Sequence, residues 1–368
     1  MLALSALTGQ TGLTSGHLNV QLTESVKGLG KKGDTIQFTL SPQDVSISEE
    51  MDSLMVGFKP IGMRADEACP IKLTDAYMGK YRVFGLNNAF RLVNVISSMQ
   101  ADIPEVDVDT SEAEFLVQQR ALGGFIPTDT AIHASQGSIN WDVKAALAKR
   151  IETGLALDRE VRVWSMLANP ANWAAGNKAT VAGGAEWNDP VNGNPIRDIM
   201  DRIEASAQQV TGIWLQPPVA HALILNDNTL KYVKSMGGDS NAISKDVVNA
   251  AASASNQNVD FTIPGLPPFH VVASKVLNET TGALDYILGD TVVLVSLPPG
   301  SENTGEDIMT CKTFRWKGPS GTGYTSRDFN LERRGLHGGT FSASGHAEVI
   351  KMISGSVGGI IQDTLQAA

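Results

Sequence analysis

Two glycine-rich segments of this 368-residue chain have spacings that could bind a nucleotide. Gly28-Leu-Gly-Lys-Lys-Gly33 matches GxGxxG, whose glycines must lead into a helix that meets a pyrophosphate, but the next residues, Asp34-Thr-Ile-Gln-Phe38, predict a strand. Gly318-Pro-Ser-Gly-Thr-Gly323 resembles a phosphate-binding loop, but Tyr324 stands where that loop needs a lysine. We therefore expect a β-hairpin turn and a surface loop, with no cofactor-binding residue.

The histidines, cysteines and acidic residues lack the spacing of a metal site or a catalytic centre. His346-Ala-Glu348 has the HxE of a zinc deaminase without its PCxxC companion. Cys69 and Cys311 are far apart in the sequence and predict neither a disulfide framework nor a zinc site. Asp107-Val-Asp109 lacks the third acidic position and the glycine of a calcium loop, so we expect a solvated or intersubunit charge run.

The remaining candidates for chemistry point the same way. No GxSxG nucleophile elbow occurs in the sequence. Two histidines lie in or beside apolar runs and are expected to be core or interface residues: His221 and His270. The sequence therefore predicts no catalytic, cofactor-binding or metal-binding residue, and we expect a protein that is not an enzyme.

The composition favours a protein that buries much of its surface against partners. Charged residues make up 18% of the chain, below the roughly 25% of typical soluble domains, and there are 36 glycines. Such a chain is either rich in strands and glycine or hides its surface in obligate interfaces, which need little charge. An ordinary enzyme with a sparsely charged surface remains open on composition alone.

The net charge and the length of the apolar runs limit the kinds of partner that the sequence predicts. The formal net charge of −10 argues against direct binding of nucleic acid, which needs a basic face. The first residues lack the basic region of a signal peptide, and no apolar run reaches the roughly 18 residues of a membrane span. We expect a protein that is made and folded in the cytoplasm.

The first third of the chain reads as extended arms. Residues 1–57 are rich in Gly, Ser and Thr, and two alternating stretches around the glycine turn predict short strands: Leu18–Leu22 and Thr35–Leu40. Residues 80–123 hold two β-like runs, Tyr81–Phe84 and Glu114–Val117, with the acidic stretch Glu105–Asp109 between them. Strands so far apart predict a long projecting hairpin.

The spacing then becomes helical. Apolar residues three and four apart predict one helix over residues 140–168, with Asn140 as its N-cap and a length of about 40 Å. Gly154 is a candidate bend, and the helix should end before Asn169-Pro170. A second helix should begin at Pro195 and stop at Gly212.

The rest of the chain mixes strands and short helices, so the predicted fold class is α+β. The predicted strands are Ala222–Leu225, Phe269–Ala273 and Thr291–Val295, and the short helices are Thr229–Met236 and Ser244–Ala254. Residues 333–364 are β-like and rich in glycine.

Three segments in one order carry a family resemblance. They are Asn169-Pro-Ala-Asn-Trp-Ala-Ala-Gly-Asn-Lys178, Glu186-Trp-Asn-Asp-Pro190 and Asn194-Pro-Ile-Arg-Asp-Ile199, directly after the long helix with Leu157-Asp-Arg-Glu160. This succession resembles the major capsid proteins of tailed bacteriophages with the Hong Kong 97-like capsid fold. In that family a spine helix ends in an Asn-Pro-rich loop, then an acidic Trp-x-Asp-Pro segment and a helix opening on Pro-Ile.

The resemblance extends over about residues 55 to 368. Further matching segments are Pro70–Leu73, Gly79–Phe84 and Phe90–Arg91 for the entry to an extension loop, Gln118–Leu122 through Ile126–Asp129 for its return, Pro218–Met236, and Ser342–Gln362. The first 55 residues do not match the family's usual short arm. The family's Ser-Asp before Pro-Ile appears here as Gly193-Asn194.

The resemblance implies five regions and a structural role. The regions are an N-terminal arm with a β-hairpin (1–57), an extension-loop region (58–125), a peripheral domain with the spine helix (126–190), an axial domain (191–330) and closing strands of the peripheral domain (331–368). It implies self-assembly into hexamers and pentamers of an icosahedral phage head that encloses double-stranded DNA without sequence-specific binding. The implied location is the virion, after assembly in the host bacterial cytoplasm and with no membrane contact.

Implied partners besides further copies are portal and scaffolding proteins and a decoration protein. Two other classes remain open: an enzyme or nucleotide-binding protein that uses the glycine loops, and a non-viral, encapsulin-like compartment with the same fold. Bound nucleotide would favour the first, and shells loaded with a cargo protein would favour the second. The sequence leaves open the triangulation number, scaffold or protease dependence, covalent cross-linking, the host, and whether residues 1–55 are retained.

Overall fold

The computed structural model describes residues 45–47, 62–84, 110–136, 142–181, 183–236, 260–297, 308–331 and 337–365. The chain divides into two compact units, residues 1–46 and 47–368. Several predictions lie outside the described residues: the strands at 18–22 and 35–40, the glycine turn at 28–33, the acidic stretch at 105–109 and the helix at 244–254. In the described ranges no helix is both long and apolar enough to cross a membrane.

The secondary structure combines fifteen described strands with six described α-helices. The strands are β1 (Val45–Ile47), β2 (Ile71–Thr74), β3 (Met78–Phe84), β4 (Thr110–Leu116), β5 (Gln118–Pro127), β6 (Lys178–Thr180), β7 (Gly212–Leu215), β8 (Phe269–Val271), β9 (Lys275–Leu277), β10 (Leu284–Tyr286), β11 (Val292–Val295), β12 (Cys311–Trp316), β13 (Thr325–Asn330), β14 (Gly339–Met352) and β15 (Gly359–Gln362). The helices are α1 (Ala65–Ala68), α2 (Thr128–Gln136), α3 (Val143–Leu167), α4 (Pro195–Ala205), α5 (Pro217–Leu225) and α6 (Asp227–Ser235). Two short 3-10 turns follow α3: Pro170–Asn172 and Ala175–Asn177.

Helix α3 confirms the predicted long helix and corrects its start. Its 25 residues span about 38 Å, and it ends before Asn169-Pro170 as predicted. The N-cap is Asp142, whose Oδ1 accepts from the amide of Ala145 at 3.0 Å, and not Asn140. Periodicity fixes only the first apolar residue of a helix, and the capping residue directly before it here is the aspartate.

Gly154 lies inside α3 and serves close packing. A Cβ atom at Gly154 would come within 2.7 Å of the Leu122 side chain on β5. The helix lies against β5 and β14, so the missing side chain lets this sheet approach the helix. The close contact between helix and sheet therefore explains why a glycine stands at position 154, where the sequence had predicted a possible bend.

The first sheet is organised by the 14-residue strand β14. Along one side β14 pairs antiparallel with β5, and along the other with β13 and then β12. Strand β2 joins β12 in parallel, with Thr313 opposite Ile71. Strands β3 and β4 form a separate antiparallel hairpin from Met78 opposite Leu116 to Phe84 opposite Thr110, which confirms both predicted β-like runs.

The second sheet has the order β6-β15-β11-β7-β8 and lies between two cores. On β11, Val292 and Leu294 pack into a core shared with α4, α5 and α6. The alternate residues Val293 and Val295 pack into a second core with Trp164, near the C-terminal end of α3. Because both faces of β11 are apolar, this strand is a continuous hydrophobic run.

Two predicted elements after residue 190 are wrong in part. Helix α4 begins at Pro195 as predicted but ends at Ala205, and Gly212 opens β7 instead. The hydroxyl of Ser206 donates to the carbonyl of Gln208 at 2.6 Å, a local turn that competes with the helix. The predicted strand Ala222–Leu225 is the end of α5, because a short apolar run fits either structure and the prolines at 217–218 suit a helix start.

The other predictions for the described residues of this half agree with the structure, and some strand pairs join residues of two predicted regions. Strands at 269–271 and 292–295, the helix at 227–235 and the strands at 339–352 and 359–362 agree with the sequence. Strands β12 and β13 fall in the range 191–330 and pair with β14, whereas β15 falls in 331–368 and pairs with β11.

Replacing Asn177 with alanine should lower the free energy of unfolding by about 2–4 kcal/mol. The buried Asn177 amide donates to the carbonyls of Gly358 (2.6 Å), Ser356 (3.1 Å) and Ala205 (3.3 Å), which joins the loop after α3 to the end of α4 and to the turn before β15. Urea unfolding measures the loss. The exposed neighbour Lys178→Ala is the control and should stay within about 0.5 kcal/mol; equal losses would contradict the role of the amide.

Candidate functional site

The structure places the nucleotide-like loop at the surface. Residues 317–324 join β12 to β13, and residues 319–322 are exposed. Lys317, at the start of the loop, binds the Asp75 carboxylate at 2.8 Å. The predicted surface loop is therefore confirmed, and its sequence carries no cation at the phosphate-binding position.

The two cysteines and His270 are packed among other side chains. Cys69 and Cys311 are free, buried thiols that lie on neighbouring segments: Cys311 Sγ donates to the Ala68 carbonyl at 3.3 Å, and Cys69 Sγ lies 3.4 Å from Thr313 Oγ1. His270 stacks on Trp214, with its ring centroid 4.8 Å away. Among the described residues no group of three or more His, Cys, Asp or Glu is arranged to hold a metal ion.

Two consecutive residues of α3 hold the segment that leads to the β3–β4 hairpin. Glu160, fully buried, accepts from the amides of Arg64 and Ala65, each at 2.6 Å, and from the Ser274 hydroxyl at 3.0 Å. A carboxylate at the first amides of α1 satisfies donors that a helix start leaves unpaired. Glu160 thereby links α3 to both α1 and the segment after β8.

Arg159, the neighbour of Glu160, binds the same segment from the other side. Its guanidinium pairs with the Asp66 carboxylate and donates to the Cys69 carbonyl at 3.3 Å. Burial lowers the pKa of Arg159 to about 10, although the charge of Glu348 opposes that shift. The guanidinium therefore stays charged at neutral pH.

Glu348 on β14 is the centre of the charged groups beneath α3. It accepts from Arg315 at 3.0 and 2.7 Å and from Arg162 at 2.6 Å, and His346 Nε2 lies 3.2 Å from Oε1. Burial alone would raise the pKa of Glu348, but the close contact with His346 and the charges of Arg315 and Arg159 hold it well below its ordinary value. The HxE pair thus joins helix to sheet.

Sequence reasoning missed this cluster, although a signal was present. Arg159 stands one turn after Leu155 and one turn before Val163 in the apolar stripe of α3, and all three are buried. A charged residue inside such a stripe is rarely buried without a partner. The partner on β14 could not be named, because strand pairing was unknown.

Exposed apolar side chains stand opposite each other at two places. Met78 (70% exposed) faces Leu116 (59%) at the root of the β3–β4 hairpin. Leu277 (56%) faces Leu284 (63%) in the hairpin of β9 and β10. Scattered exposed apolar residues are normal, but adjoining pairs are typical of contact surfaces.

The root of the β3–β4 hairpin is fixed to the first sheet. On its inner face the Phe115 ring stacks on Phe314 with centroids 4.6 Å apart, and Tyr81 packs on the same ring at 5.2 Å. A Cβ atom at Gly79 would come within 2.9 Å of the Phe115 ring, so the glycine leaves room for this stack. The opposite face of the hairpin carries the exposed Met78 and Leu116.

Comparison with known proteins places the fold. No protein-family model matches the chain. The chain is 24% identical over 159 residues to the major capsid protein of Pseudomonas phage JBD67, which covers 43% of this chain. The match spans about half (50%) of the length of that relative.

Solved structures cover more of the chain. A phage-related protein from Bordetella bronchiseptica RB50 is 18% identical and covers 87% of this chain and 99% of its own, with a TM-score of 0.64. The capsid protein of cyanophage P-SCSP1u is 12% identical and covers 83% of this chain and 89% of its own, with a TM-score of 0.50. The chain has the α+β, Hong Kong 97-like capsid fold that its sequence predicted.

Replacing Glu348 with glutamine should lower the free energy of unfolding at pH 7 by about 3–5 kcal/mol, because the buried Arg315 then loses its carboxylate partner and Arg162 keeps only Asp158. The folded-state pKa of Glu348 lies below its ordinary 4.5, so its contribution is present above about pH 4.5 and is lost as pH falls through the lower folded value. Urea unfolding from pH 7 to 3 should show the difference between parent and variant shrinking in acid.

The exposed Glu279→Gln is the control and should unfold as the parent does at each pH. A difference between parent and Glu348→Gln that stays constant in acid would contradict the charged role of Glu348.

Proposed function

We propose that this chain is the structural subunit of an icosahedral phage head and has no catalytic activity of its own. The observation that carries the proposal is the fold, which matches the phage-related protein from Bordetella over 99% of its length. The sequence match to a phage major capsid protein supports it independently. The absence of a metal-holding group from the described residues is compatible with a non-enzymatic role.

The domain assignment follows the two sheets. In this proposal the first sheet with the spine helix α3 is the peripheral domain, and the second sheet with α4–α6 is the axial domain. Strands β12 and β13 then belong to the peripheral domain because they pair with β14, and β15 belongs to the axial domain because it pairs with β11. Residues 1–57 would form the N-terminal arm, and the β3–β4 hairpin would form the extension loop.

Self-assembly would use the exposed apolar pairs. In the proposed hexamers and pentamers, identical chains meet through different patches of their surfaces, which is the heterologous contact that closed shells reuse. The low charge content and the pairs Met78–Leu116 and Leu277–Leu284 suit such permanent contacts. The net charge of −10 suits a shell that encloses double-stranded DNA without gripping it.

The proposal also covers the location of the subunit and its partner proteins. The subunit would be part of the virion, assembled in the host bacterial cytoplasm, with portal and scaffolding proteins and a decoration protein as further partners. These partners rest on the resemblance to the capsid family alone. A shell that carries a dedicated cargo protein in place of DNA would point to an encapsulin-like compartment instead.

Electron microscopy of the protein expressed alone should reveal rings of five or six subunits or closed shells tens of nanometres across. Size-exclusion chromatography of the same sample should place most of the protein in the large species. Coexpression with a scaffolding protein is the second arm, in case the free subunit stays monomeric. A compact dimer that binds nucleotide would overturn the proposal.

Removing the β3–β4 hairpin should leave a folded subunit that does not assemble. A short glycine–serine linker in place of residues 80–114 would join Gly79 to Phe115, which face each other in the hairpin, and would keep the Phe115–Phe314 stack. The deletion must stop before β5, because residues 118–127 pair with β14 in the first sheet. Thermal unfolding should stay close to the parent, and electron microscopy should find no shells.

A milder variant tests the apolar pair alone. Met78→Ser combined with Leu116→Ser removes two exposed side chains and should change the free energy of unfolding by less than about 0.5 kcal/mol each. The matched control is Lys80→Ser with Glu112→Ser, which removes an exposed ion pair from the same hairpin face. Normal shells from both the deletion and the apolar variant would count against assembly through this hairpin.

A further inference from the structure

Glu152 is a buried carboxyl group, and one of its two oxygen atoms has no hydrogen-bond partner among the described residues. It lies on α3, facing the loop between β12 and β13, and its residue is 5% exposed. Oε1 accepts from the Tyr324 hydroxyl at 3.1 Å. Oε2 is buried and has no hydrogen-bond partner among the described residues. A buried carboxylate in this position would be poorly solvated, whereas a protonated carboxyl group is tolerated.

The nearest cation is already bound to another carboxylate. Arg315 on β12 donates two bonds to Glu348, while its guanidinium carbon lies 5.0 Å above the Tyr324 ring. His346 on β14 meets the same ring edge-on, with centroids 5.7 Å apart. Tyr324 therefore stands between Glu152 and the positive charge that could have balanced it.

Among the described residues, charged side chains on two other elements packed against α3 are already paired. Arg120 on β5 pairs with Asp158 at 3.3 Å, and Asp328 on β13 pairs with Lys144 at 3.1 Å. Arg159, on the same helix as Glu152, pairs with Asp66. The charge of Glu348 adds repulsion, so none of these groups is a free counter-ion for Glu152.

We propose that Glu152 is a proton-operated latch between the spine helix and the loop at residues 317–324. In the protonated form the carboxyl group stays buried against Tyr324 and holds the helix to the loop. On losing the proton to solvent, the carboxylate must draw in water or turn outward, because Arg315 is held by Glu348. Either change loosens the contact between α3 and the loop.

The electrostatics place this change in the physiological range. Burial raises the pKa of Glu152 from 4.5 to about 7. The negative charge of Glu348 also raises this pKa, whereas the hydrogen bond from Tyr324 and the positive charge of Arg315 lower it. Because the folded-state value lies above the unfolded one, the stabilising contribution is complete below about pH 4.5 and is lost as pH rises through about 7.

The test is the pH dependence of unfolding of the full chain, parent against Glu152→Gln. The amide cannot titrate, so the unfolding constant of the parent relative to the variant should rise by about tenfold per pH unit between pH 5 and 7 and level off above pH 7. The exposed Glu204→Gln is the matched control and should follow the parent throughout. Parallel curves for parent and Glu152→Gln would overturn the latch.

A second variant keeps the test decisive if Glu152→Gln does not fold. Tyr324→Phe keeps the ring but removes the hydroxyl that donates to Glu152 and lowers its pKa. The pH above which the unfolding constant stops rising should therefore be higher in this variant than in the parent. A loss of packing alone would lower stability equally at every pH. An unshifted plateau in Tyr324→Phe would therefore also overturn the proposal.

The consequence for assembly rests on the proposed function and is measured separately. In the parent, the yield of rings or shells should differ between pH 6 and pH 8, whereas Glu152→Gln should give the same yield at both. A yield in the parent that does not change with pH would contradict the extension to assembly. Absence of shells at either pH, even with a scaffolding protein, would count against the capsid proposal, while the unfolding curves test the latch regardless.

Discussion

The fold depends on charges that α3 carries into the interior. Arg159 and Glu160 occupy consecutive positions, and their side chains leave the helix towards different elements. Glu160 holds the start of α1 and the segment after β8, whereas Arg159 holds α1 and the entry to β2. Burying two charges is costly, and only complete pairing compensates for that cost. The interior of the first sheet is therefore specified by polar geometry as much as by apolar packing.

This arrangement divides α3 into two halves with different contacts. The C-terminal half, with Val163, Trp164 and Leu167, is fixed in the apolar core that it shares with β11. The N-terminal half has a small apolar cluster of Ala148, Ile151 and Leu155 and otherwise faces the polar residues of β14. The C-terminal half of the helix is held by apolar packing. The N-terminal half is also held by the hydrogen bond between Tyr324 and the carboxyl group of Glu152.

Local sequence patterns were enough to predict much of this fold. The rest depends on pairing between residues that are far apart in the sequence. The apolar spacing of α3, the proline at the start of α4 and the β-like runs at 81–84 and 114–117 were sufficient because each signal lies within one element. The apolar run at 222–225 failed because four residues cannot distinguish a buried strand from a buried helix. The role of Glu348 was out of reach, since it follows from Arg315 and Arg162, which the sequence places far away.

Strand β14 and its successor β15 have a consequence for synthesis. β14 is the central strand of the first sheet, and β15 lies between β6 and β11 in the second. Each of them follows all the other strands of its sheet in the sequence, so neither sheet can close before that strand has left the ribosome. A nascent chain cannot present a finished surface to its neighbours, and many long-range contacts must then form together. The order of translation therefore delays both sheets until β14 and β15 have emerged.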